Sequence, residues 1–364
     1  MKFLLIISAF AATAVMAAPT KGLSGCVATS YDQIAGTKAC SAITIQGPFT
    51  VPANKKIDLT GLKTGTTIKI TGTITFAKGN LDGNNDLVTI GGTNIKIDGT
   101  SGKFDGSGPL YWDGKGGNGG VNKPKFVRLS KMSGSITGLT IINSPVHTFA
   151  VSGCHGLALT GITIDNRKDH APCGPKYALG HNTDAFDVGS SSGVTITGAK
   201  VYNNDDCLAL NSGTNIVFNG NHCEGGHGIS IGSIKAGSVV DGVSITGNTV
   251  VNSANAVRIK AYANATGGKV NNVTYSDITM SGITDYGIII QQDYTNDGAT
   301  GNPGGAAPIT NVNLYNIHGS MAKKNRQSVY ILCAKCSNFN FQKIAITGGL
   351  ATKCTGISPK PMGC

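Results

Sequence analysis

Acidic residues and a histidine recur at nearly equal intervals near the middle of the chain. Asp206 directly follows Asp205. It lies almost as many residues after Asp184 as before His227. When carboxyl groups crowd together, the pKa of at least one rises, as a general acid requires, while another can stay ionised and activate water. Hydrolysis of a glycosidic bond uses this division of labour. The pattern predicts an acid–base site, although a calcium or turn motif at Asp205-Asp206 and a structural corner at His227 are alternatives.

The interval matches a repeat that runs along most of the chain. Short alternations of β-branched residues end in a glycine or asparagine, and the marker glycines Gly198, Gly220 and Gly247 follow one another at similar intervals. Short strands repeating every 20 to 50 residues, without helices between them, are typical of a solenoid. We therefore predict an all-β, single-domain parallel β-helix of about ten coils. Equivalent positions on neighbouring coils then lie about 4.8 Å apart, which stacks the acidic residues and the histidine on one face.

Two basic residues are expected to extend this stack of acidic residues and histidine. Val257 and Ile259 alternate with Arg258 and Lys260, so the apolar pair is expected to point inward and the basic pair outward. Such a basic pair beside acidic residues is suited to binding a substrate carboxylate. An ordinary solvated strand face is the alternative.

Asp205 and Asp206 are adjacent, which conflicts with the alternating directions of side chains in a strand. In a straight strand one of them would point inward, and a buried unpaired carboxylate costs several kcal/mol. We expect a bend or bulge that presents both to the cleft. A disulfide between Cys207 and Cys223 would tie that bend to the next coil.

Two further residues, Asp187 and His147, are not assigned to the acid–base site. Asp187, close behind Asp184 in sequence, is interpreted as structural. His147 is interpreted as a surface or packing residue.

Composition limits the class of protein. The 364 residues include 52 glycines and only 13% charged residues, which disfavours regular helices. The formal net charge of +11 indicates an acidic partner. We expect an anionic polysaccharide and no nucleic acid, because the basic residues are scattered and form no stripe with aromatic residues. After the N-terminal region no apolar stretch is long enough to span a bilayer, so no membrane association is expected.

The N-terminal residues are typical of a processing signal. Lys2 precedes the apolar run Phe3–Val15 and the small residues Ala17 and Ala18. We predict a secretory signal peptide at residues 1–17, an N-terminal cap at 18–47 and a catalytic β-helix at 48–364, in a secreted, extracellular protein.

The cysteines and sequons agree with an oxidising compartment. Ten cysteines can pair there, although connectivity is not readable from sequence. Pairing of neighbours would give Cys26–Cys40, Cys154–Cys173, Cys207–Cys223, Cys333–Cys336 and Cys354–Cys364. Asn264 and Asn272 lie in N-glycosylation sequons.

Four motifs in order resemble those of the polygalacturonases, glycoside hydrolase family 28: Asn182–Asp187, Asn204–Cys207, Gly226–Gly232 and Arg258–Lys260. A further segment, Tyr286–Tyr294, resembles the one that ends in the family's substrate-contacting tyrosine. The resemblance implies a right-handed parallel β-helix and an inverting hydrolase that uses no metal or other cofactor.

The resemblance also implies roles for the acidic residues. Asp205 corresponds to the general acid, a choice that the residues alone leave open between Asp205 and Asp206. Asp184 and Asp206 correspond to the carboxylates that hold and deprotonate the attacking water. His227 corresponds to the residue that supports the protonation state and geometry of the acid.

The implied substrate is the α-1,4-linked galacturonate chain of pectin. Arg258 and Lys260 would bind its carboxylates, Tyr294 would line the subsites beside the scissile bond, and Asn182 would support the site or a subsite. We expect endo action, since no large insertion that would block the cleft is evident. The alternatives are an exo-polygalacturonase, a pectate lyase and a pectin-binding β-helix without activity. A monomer is expected, and the resemblance adds a plant inhibitor protein as a partner.

Overall fold

The computed structural model describes residues 26–167, 180–322 and 326–358. Strands make up most of this part of the chain, with one short α-helix, α1 (Ile34–Thr37), and 3-10 turns at Tyr31–Gln33 and Gly108–Leu110. The strands are β1 (Val27–Ala28), β2 (Ala42–Gln46), β3 (Phe49–Val51), β4 (Ile57–Leu59), β5 (Thr67–Phe76), β6 (Asp86–Asp105), β7 (Lys125–Thr137), β8 (Thr140–Ile142), β9 (Phe149–Ser152), β10 (His155–Thr160), β11 (Thr163–Asp165), β12 (Phe186–Gly189), β13 (Ser191–Thr197), β14 (Lys200–Tyr202), β15 (Asp206–Leu210), β16 (Gly213–Asn219), β17 (His222–Glu224), β18 (Gly228–Ile234), β19 (Val239–Thr246), β20 (Thr249–Val251), β21 (Asn255–Ala261), β22 (Lys269–Ile283), β23 (Tyr286–Gln291), β24 (Ile309–Met321), β25 (Val329–Leu332), β26 (Cys336–Thr347) and β27 (Lys353–Thr355).

The strands wind into coils that stack in parallel. A typical coil contains β13, β14 and β15, and each pairs with the strand at the same place in the next coil, β16, β17 and β18. The register pairs Thr195 with Val217 and Lys200 with His222, so the offset in sequence is the same on both strands. It also equals the interval from Asp184 to Asp206. The predicted parallel β-helix is confirmed, and its coil length accounts for the spacing of the acidic residues.

One of the three faces of the coil carries the functional residues. This face, called here the site sheet, consists of β9, β12, β15, β18, β21, β23 and β25 in that order. Its inward side chains stack as aliphatic columns, such as Leu210, Ile231, Ile259 and Ile290, all fully buried. The outward side chains of the same strands are therefore held at fixed heights along the sheet.

Buried asparagines close one corner of the coil. Asn221 donates from Nδ2 to the carbonyl of Ile196, and Asn248 donates from Nδ2 to that of Phe218. The Asn248 Oδ1 accepts from the Asn221 backbone N–H at 2.8 Å. These bonds satisfy backbone groups that the turn would otherwise bury without partners.

The N-terminal end is closed by a short helical segment. Ile34 of α1 is buried against the core, and a disulfide joins Cys26 to Cys40. Stacked strands begin at β1, which pairs with β2, so the stack extends into the range assigned to the cap. Among the described residues, none of the helices has the length and apolar character needed to span a bilayer. The predicted signal peptide lies outside the described residues.

The remaining cysteines follow the predicted pairing in part. Disulfides join Cys207 to Cys223 and Cys333 to Cys336. Cys354 is also disulfide-bonded, and its predicted partner, Cys364, lies outside the described residues.

The pairing predicted for Cys154 is wrong. Its thiol is free and fully buried, and it donates a hydrogen bond to the Leu129 carbonyl. The side chain packs in the apolar interior, where no second cysteine of the described residues reaches it. Cys173 itself lies outside the described residues.

Candidate active site

A polar cleft of about 500 Å³ runs over the outer side of the site sheet. Loop residues Gly117 and Asn118 and, on the other side, Thr295 and Asn296 contribute to its walls. Its lining includes every catalytic and substrate-binding residue predicted from sequence: Asn182, Asp184, Asp205, Asp206, His227, Arg258, Lys260 and Tyr294. The coil stack thus brings together side chains that are far apart in sequence.

The bend expected at Asp205-Asp206 is present. Asp206 pairs with Gly228 and Leu208 with Ile229, so β15 has one extra residue opposite β18. The extra residue is Cys207, whose disulfide ties the bulge to Cys223 of β17.

Asn203 stabilises the backbone ahead of the bulge. Its Nδ2 donates to the carbonyl oxygens of Thr183, Asp205 and Asp206 at 2.9 to 3.1 Å. This side chain is fully buried and was not identified from sequence. Its position just before two aspartates is the only sequence signal that points to it.

Asp206 forms a buried ion pair with Lys260. It is only 1% exposed, and its Oδ2 lies 2.7 Å from the Lys260 Nζ. Its Oδ1 accepts a 2.6 Å hydrogen bond from Ser230, and Arg258 lies 3.9 Å away. Burial by itself disfavours the charged ammonium, but the carboxylate of Asp206 raises the pKa of Lys260. The pair therefore favours the charged form of Lys260.

Asp205 and His227 form a second pair, in which Asp205 is buried and His227 is partly exposed. The His227 Nδ1 lies 2.9 Å from the Asp205 Oδ1, while the Asp205 Oδ2 accepts a 3.0 Å bond from the Asn182 Nδ2. Burial favours neutral Asp205, but His227, Lys260 and the backbone N–H of Asp206 together hold the pKa of Asp205 below its ordinary value. Burial likewise opposes a charge on His227, and Asp205 raises the pKa of His227. Both shifts favour the ion pair of an Asp205 carboxylate with a His227 imidazolium.

Asp184 has a different environment. It is 7% exposed, and its Oδ1 is buried without a hydrogen-bond partner in the described part of the chain. Burial, followed by the charges of Asp205 and Asp187, raises the pKa of Asp184 well above its ordinary value, and His147 opposes this rise. The carboxyl groups of Asp184 and Asp205 consequently differ in proton affinity, as acid–base chemistry requires.

His147 belongs to this cleft, which corrects its interpretation as a surface or packing residue. Its Nδ1 lies 2.6 Å from the Asp187 Oδ2, and its Nε2 lies 3.8 Å from the Asp184 Oδ1. Asp187 lines the cleft as well. The spacing of residues conceals this contact, because the chain between β11 and β12 is longer than the usual interval and Ala150 therefore pairs with Asp187.

An aromatic and cationic group forms the other end of the cleft. The Arg258 guanidinium and the Lys260 ammonium lie 5.4 and 5.2 Å from the centre of the Tyr294 ring. Tyr262 contacts Tyr294 edge to face at 5.5 Å. As predicted, Val257 and Ile259 point inward and are fully buried. Positive charges beside an aromatic ring can bind a sugar acid by its carboxylate and its apolar face.

The three side chains Asp205, Asp206 and His227 could in principle hold a metal ion, since their ligand atoms lie within 4.8 Å of one another. Lys260 already occupies one oxygen of Asp206, and Asn182 one oxygen of Asp205. A divalent cation would have to displace an ammonium ion from a buried partner. The arrangement therefore fits proton transfer better than metal ligation.

Comparison with known proteins gives consistent matches. The sequence profile of the glycosyl hydrolases family 28 matches residues 40–364. An endo-polygalacturonase of Sclerotinia sclerotiorum is 49% identical over 334 residues, covering 90% of this chain and 84% of that protein. Endopolygalacturonase 1 of Colletotrichum lindemuthianum is 44% identical, with 98% and 97% of the two chains covered.

A solved structure agrees with these matches. Endopolygalacturonase I of Stereum purpureum, solved with two galacturonates, superposes with a TM-score of 0.83 at 41% identity, covering 92% of this chain and 98% of that one. The fold is thus the right-handed parallel β-helix implied by the sequence motifs. With its acidic cleft, its coil register and these matches, the chain belongs to glycosyl hydrolase family 28.

Proposed function

We propose that the protein is an endo-polygalacturonase that hydrolyses α-1,4 bonds between galacturonate residues with inversion at the anomeric carbon. The observation that carries this proposal is the cleft itself, in which carboxyl groups of different proton affinity adjoin two cations, the buried Lys260 and the partly exposed Arg258. The identity of 44 to 49% to endopolygalacturonases supports the endo mode. Cations beside Tyr294 support a substrate that bears carboxylates.

Asp205 is the proposed general acid. In the free protein its proton resides on the His227 Nδ1, 2.9 Å away. Bound polysaccharide excludes water from the cleft, and an ion pair without water is less stable relative to its neutral form. The proton then passes to Asp205, which delivers it to the glycosidic oxygen as the bond to the anomeric carbon breaks.

Asp184 and Asp206 are proposed to hold the attacking water. Asp206 already contacts Lys260 and Ser230, so its proposed role is to orient the water. Among the described residues, the Oδ1 of Asp184 has no hydrogen-bond partner. The water oxygen bonds to the anomeric carbon, and its proton passes to Asp184. A base whose pKa is raised toward the working pH is effective in this step.

Substrate binding is assigned to the cationic end of the cleft. Arg258 and Lys260 neutralise galacturonate carboxylates, and Tyr294 supplies a surface for the sugar ring. Asn182 connects the loop at Gly117 to Asp205 through hydrogen bonds of 3.1 and 3.0 Å, which suits a supporting role. Loss of the cations should therefore raise KM for the polymer.

Product analysis tests this function. On defined oligogalacturonides, the protein should release reducing ends as a mixture of internal cleavage products. Release of monomers alone would indicate exo action, unsaturated products absorbing in the ultraviolet would indicate a lyase, and binding without cleavage would indicate an inactive pectin-binding protein.

A second measurement tests the acid. Asp205→Asn should lower kcat by about 10²–10⁴-fold, since that is the usual contribution of a general acid. Asp241→Asn, which removes a surface carboxylate bonded to Lys269 and Asn271, serves as the control and should keep full activity. Full activity in Asp205→Asn with an unchanged fold would refute the assignment of the acid.

We also propose that the enzyme acts outside the cell as a monomer. The apolar N-terminal run and the disulfides support secretion. Asn264 and Asn272 are exposed and accessible to glycosylation. The family resemblance supports a plant inhibitor protein as a partner, and co-sedimentation of the two proteins would test it.

A further inference from the structure

The peptide that joins His147 to Thr148 is hydrogen-bonded to a coil on each side. Thr148 donates its N–H to the Asp184 carbonyl at 2.8 Å, and Phe126 donates its N–H to the His147 carbonyl at 2.9 Å. The imidazole lies between two carboxylates, with Nδ1 2.6 Å from Asp187 and Nε2 3.8 Å from Asp184. The position of the ring is therefore set by the coil stack.

Asp184 needs a cation that the other basic residues do not supply. Within the described chain its buried Oδ1 has no hydrogen-bond partner, and its acidic neighbours favour the neutral form. Lys260 contacts Asp206, and His227 contacts Asp205. Among the described basic residues, His147 is the one that forms an ion pair with Asp184.

The charged groups around His147 favour its cationic form. Asp187 and Asp184 face it from the coil that follows, and Lys125 opposes them from β7 on the coil that precedes. Although burial disfavours the imidazolium, the two carboxylates raise the pKa of His147 to about 10. The two anions thus outweigh burial and the single lysine.

We infer that His147 is a positioning residue that remains a cation in the working enzyme and favours the ionised form of Asp184, so that Asp184 can accept the proton of the attacking water. This inference rests on the proposed function. Asp187 serves in it as the counter-ion that orients the imidazole. No contact between His147 and the substrate is required.

The pH dependence of catalysis gives a direct test. Without the cation the pKa of Asp184 rises, so the base is protonated over a wider acid range. The acid limb of kcat against pH should therefore move to higher pH in His147→Gln. The expected shift is about one pH unit or more, as is usual for a carboxyl that loses an adjacent charge. At pH values above the acid limb, the kcat of His147→Gln should approach the wild-type value.

Two variants provide matched controls. His147→Lys restores a positive charge and should return the acid limb toward its wild-type position. His155→Gln removes an exposed histidine that contacts Ser192 on another face, and should leave the profile unchanged. A uniform loss of kcat in His147→Gln with an unmoved limb would show a structural role only. A higher KM at every pH with an unmoved limb would show a substrate contact, and either result would overturn the inference.

A measurement on the wild-type protein does not depend on whether the variants fold. Nitrogen chemical shifts of the His147 ring should report an imidazolium across the whole acid limb. A neutral ring there would overturn the inference even if the enzyme is active. Absence of any reducing-end release by the wild-type protein would instead refute the proposed function, so the two failures are distinguishable.

Discussion

Asp206 shows how a buried charge is maintained at a single residue. Its carboxylate is almost inaccessible to water, and the Lys260 ammonium at 2.7 Å and the Ser230 hydroxyl at 2.6 Å replace the lost hydration. Removing one partner of such a pair leaves the other charge buried and unpaired, which is much costlier than losing a surface pair. The ion pair is therefore both a structural and a functional element of the cleft.

The variant Lys260→Met should lose about 3–5 kcal/mol of unfolding free energy, because Asp206 remains buried without its counter-charge. Chemical denaturation at neutral pH measures this loss. The control is Lys269→Met, which breaks an exposed pair with Asp241 at 3.0 Å and should cost less than about 1 kcal/mol. Equal losses in the two variants would contradict the argument from burial.

At the scale of the element, the bulge in β15 decides where the carboxylates point. The extra residue opposite β18 lets Asp205 and Asp206 face the same cleft, and the disulfide at Cys207 holds the bulge to β17. Gly228, which lies opposite Asp206, has a φ of +92° and approaches the neighbouring strand closely. Local backbone geometry thus sets the arrangement of the acid–base groups.

The double variant Cys207→Ala/Cys223→Ala should lose about 3 kcal/mol of stability, since the bond closes a loop with a sequence separation of 16. It should also lose kcat, because the bulge beside Asp206 is released. Cys333→Ala/Cys336→Ala is the matched control, with a separation of only 3, and should lose less stability and no kcat. Thermal unfolding and initial rates measure the two effects. A larger kcat loss in the control would contradict the role given to the bulge.

Gly228→Ala should cost about 2 kcal/mol or more, because an added Cβ would collide with the Asn255 carbonyl and the backbone conformation disfavours a side chain. Gly220 also has a positive φ, +63°, but there is open space where a Cβ would be added. Gly220→Ala should therefore cost about 1 kcal/mol of unfolding free energy. Denaturant midpoints compare the variants. Equal costs would show that backbone conformation, rather than close approach, makes Gly228 necessary.

At the scale of the whole molecule, charge and shape act together. The formal net charge is +11, and the parallel stack places a cleft lined by Arg258 and Lys260 on one continuous face. A long-range positive potential attracts a polyanion and raises its rate of association. This attraction depends on the summed charges rather than on one residue.

Raising the ionic strength from about 0.01 M to about 0.15 M shortens the Debye length from about 30 to about 8 Å. We expect kcat/KM on polygalacturonate to fall by roughly tenfold through a higher KM, since screening weakens attraction over long distances. Initial rates at fixed pH measure this. Galacturonate trimers, which carry few charges, are the control and should be affected less. An unchanged kcat/KM on the polymer would show that steering makes no contribution.

The regular parts of the molecule were predictable from sequence because a strand has a period of two and a coil a nearly constant length. The alternation Val257–Lys260 placed its cations outward, and the interval from Asp184 to His227 placed those residues in one cleft. The adjacency of Asp205 and Asp206 predicted the bulge, because a straight strand would have buried one unpaired carboxylate. The pairing of Cys154 was wrong because cysteine counting assumes that every thiol reaches a partner, whereas this thiol packs in the core.

By itself, the sequence determined the coil, its period and the set of acidic and basic residues that share a face, since these depend only on local repetition. The tertiary structure alone decided which groups touch. It placed His147 between Asp184 and Asp187, Asn203 beside the bulge, and the His227 imidazole against Asp205. Such contacts join coils of unequal length, and the pKa values depend on burial and on nearby charges, which sequence spacing does not specify.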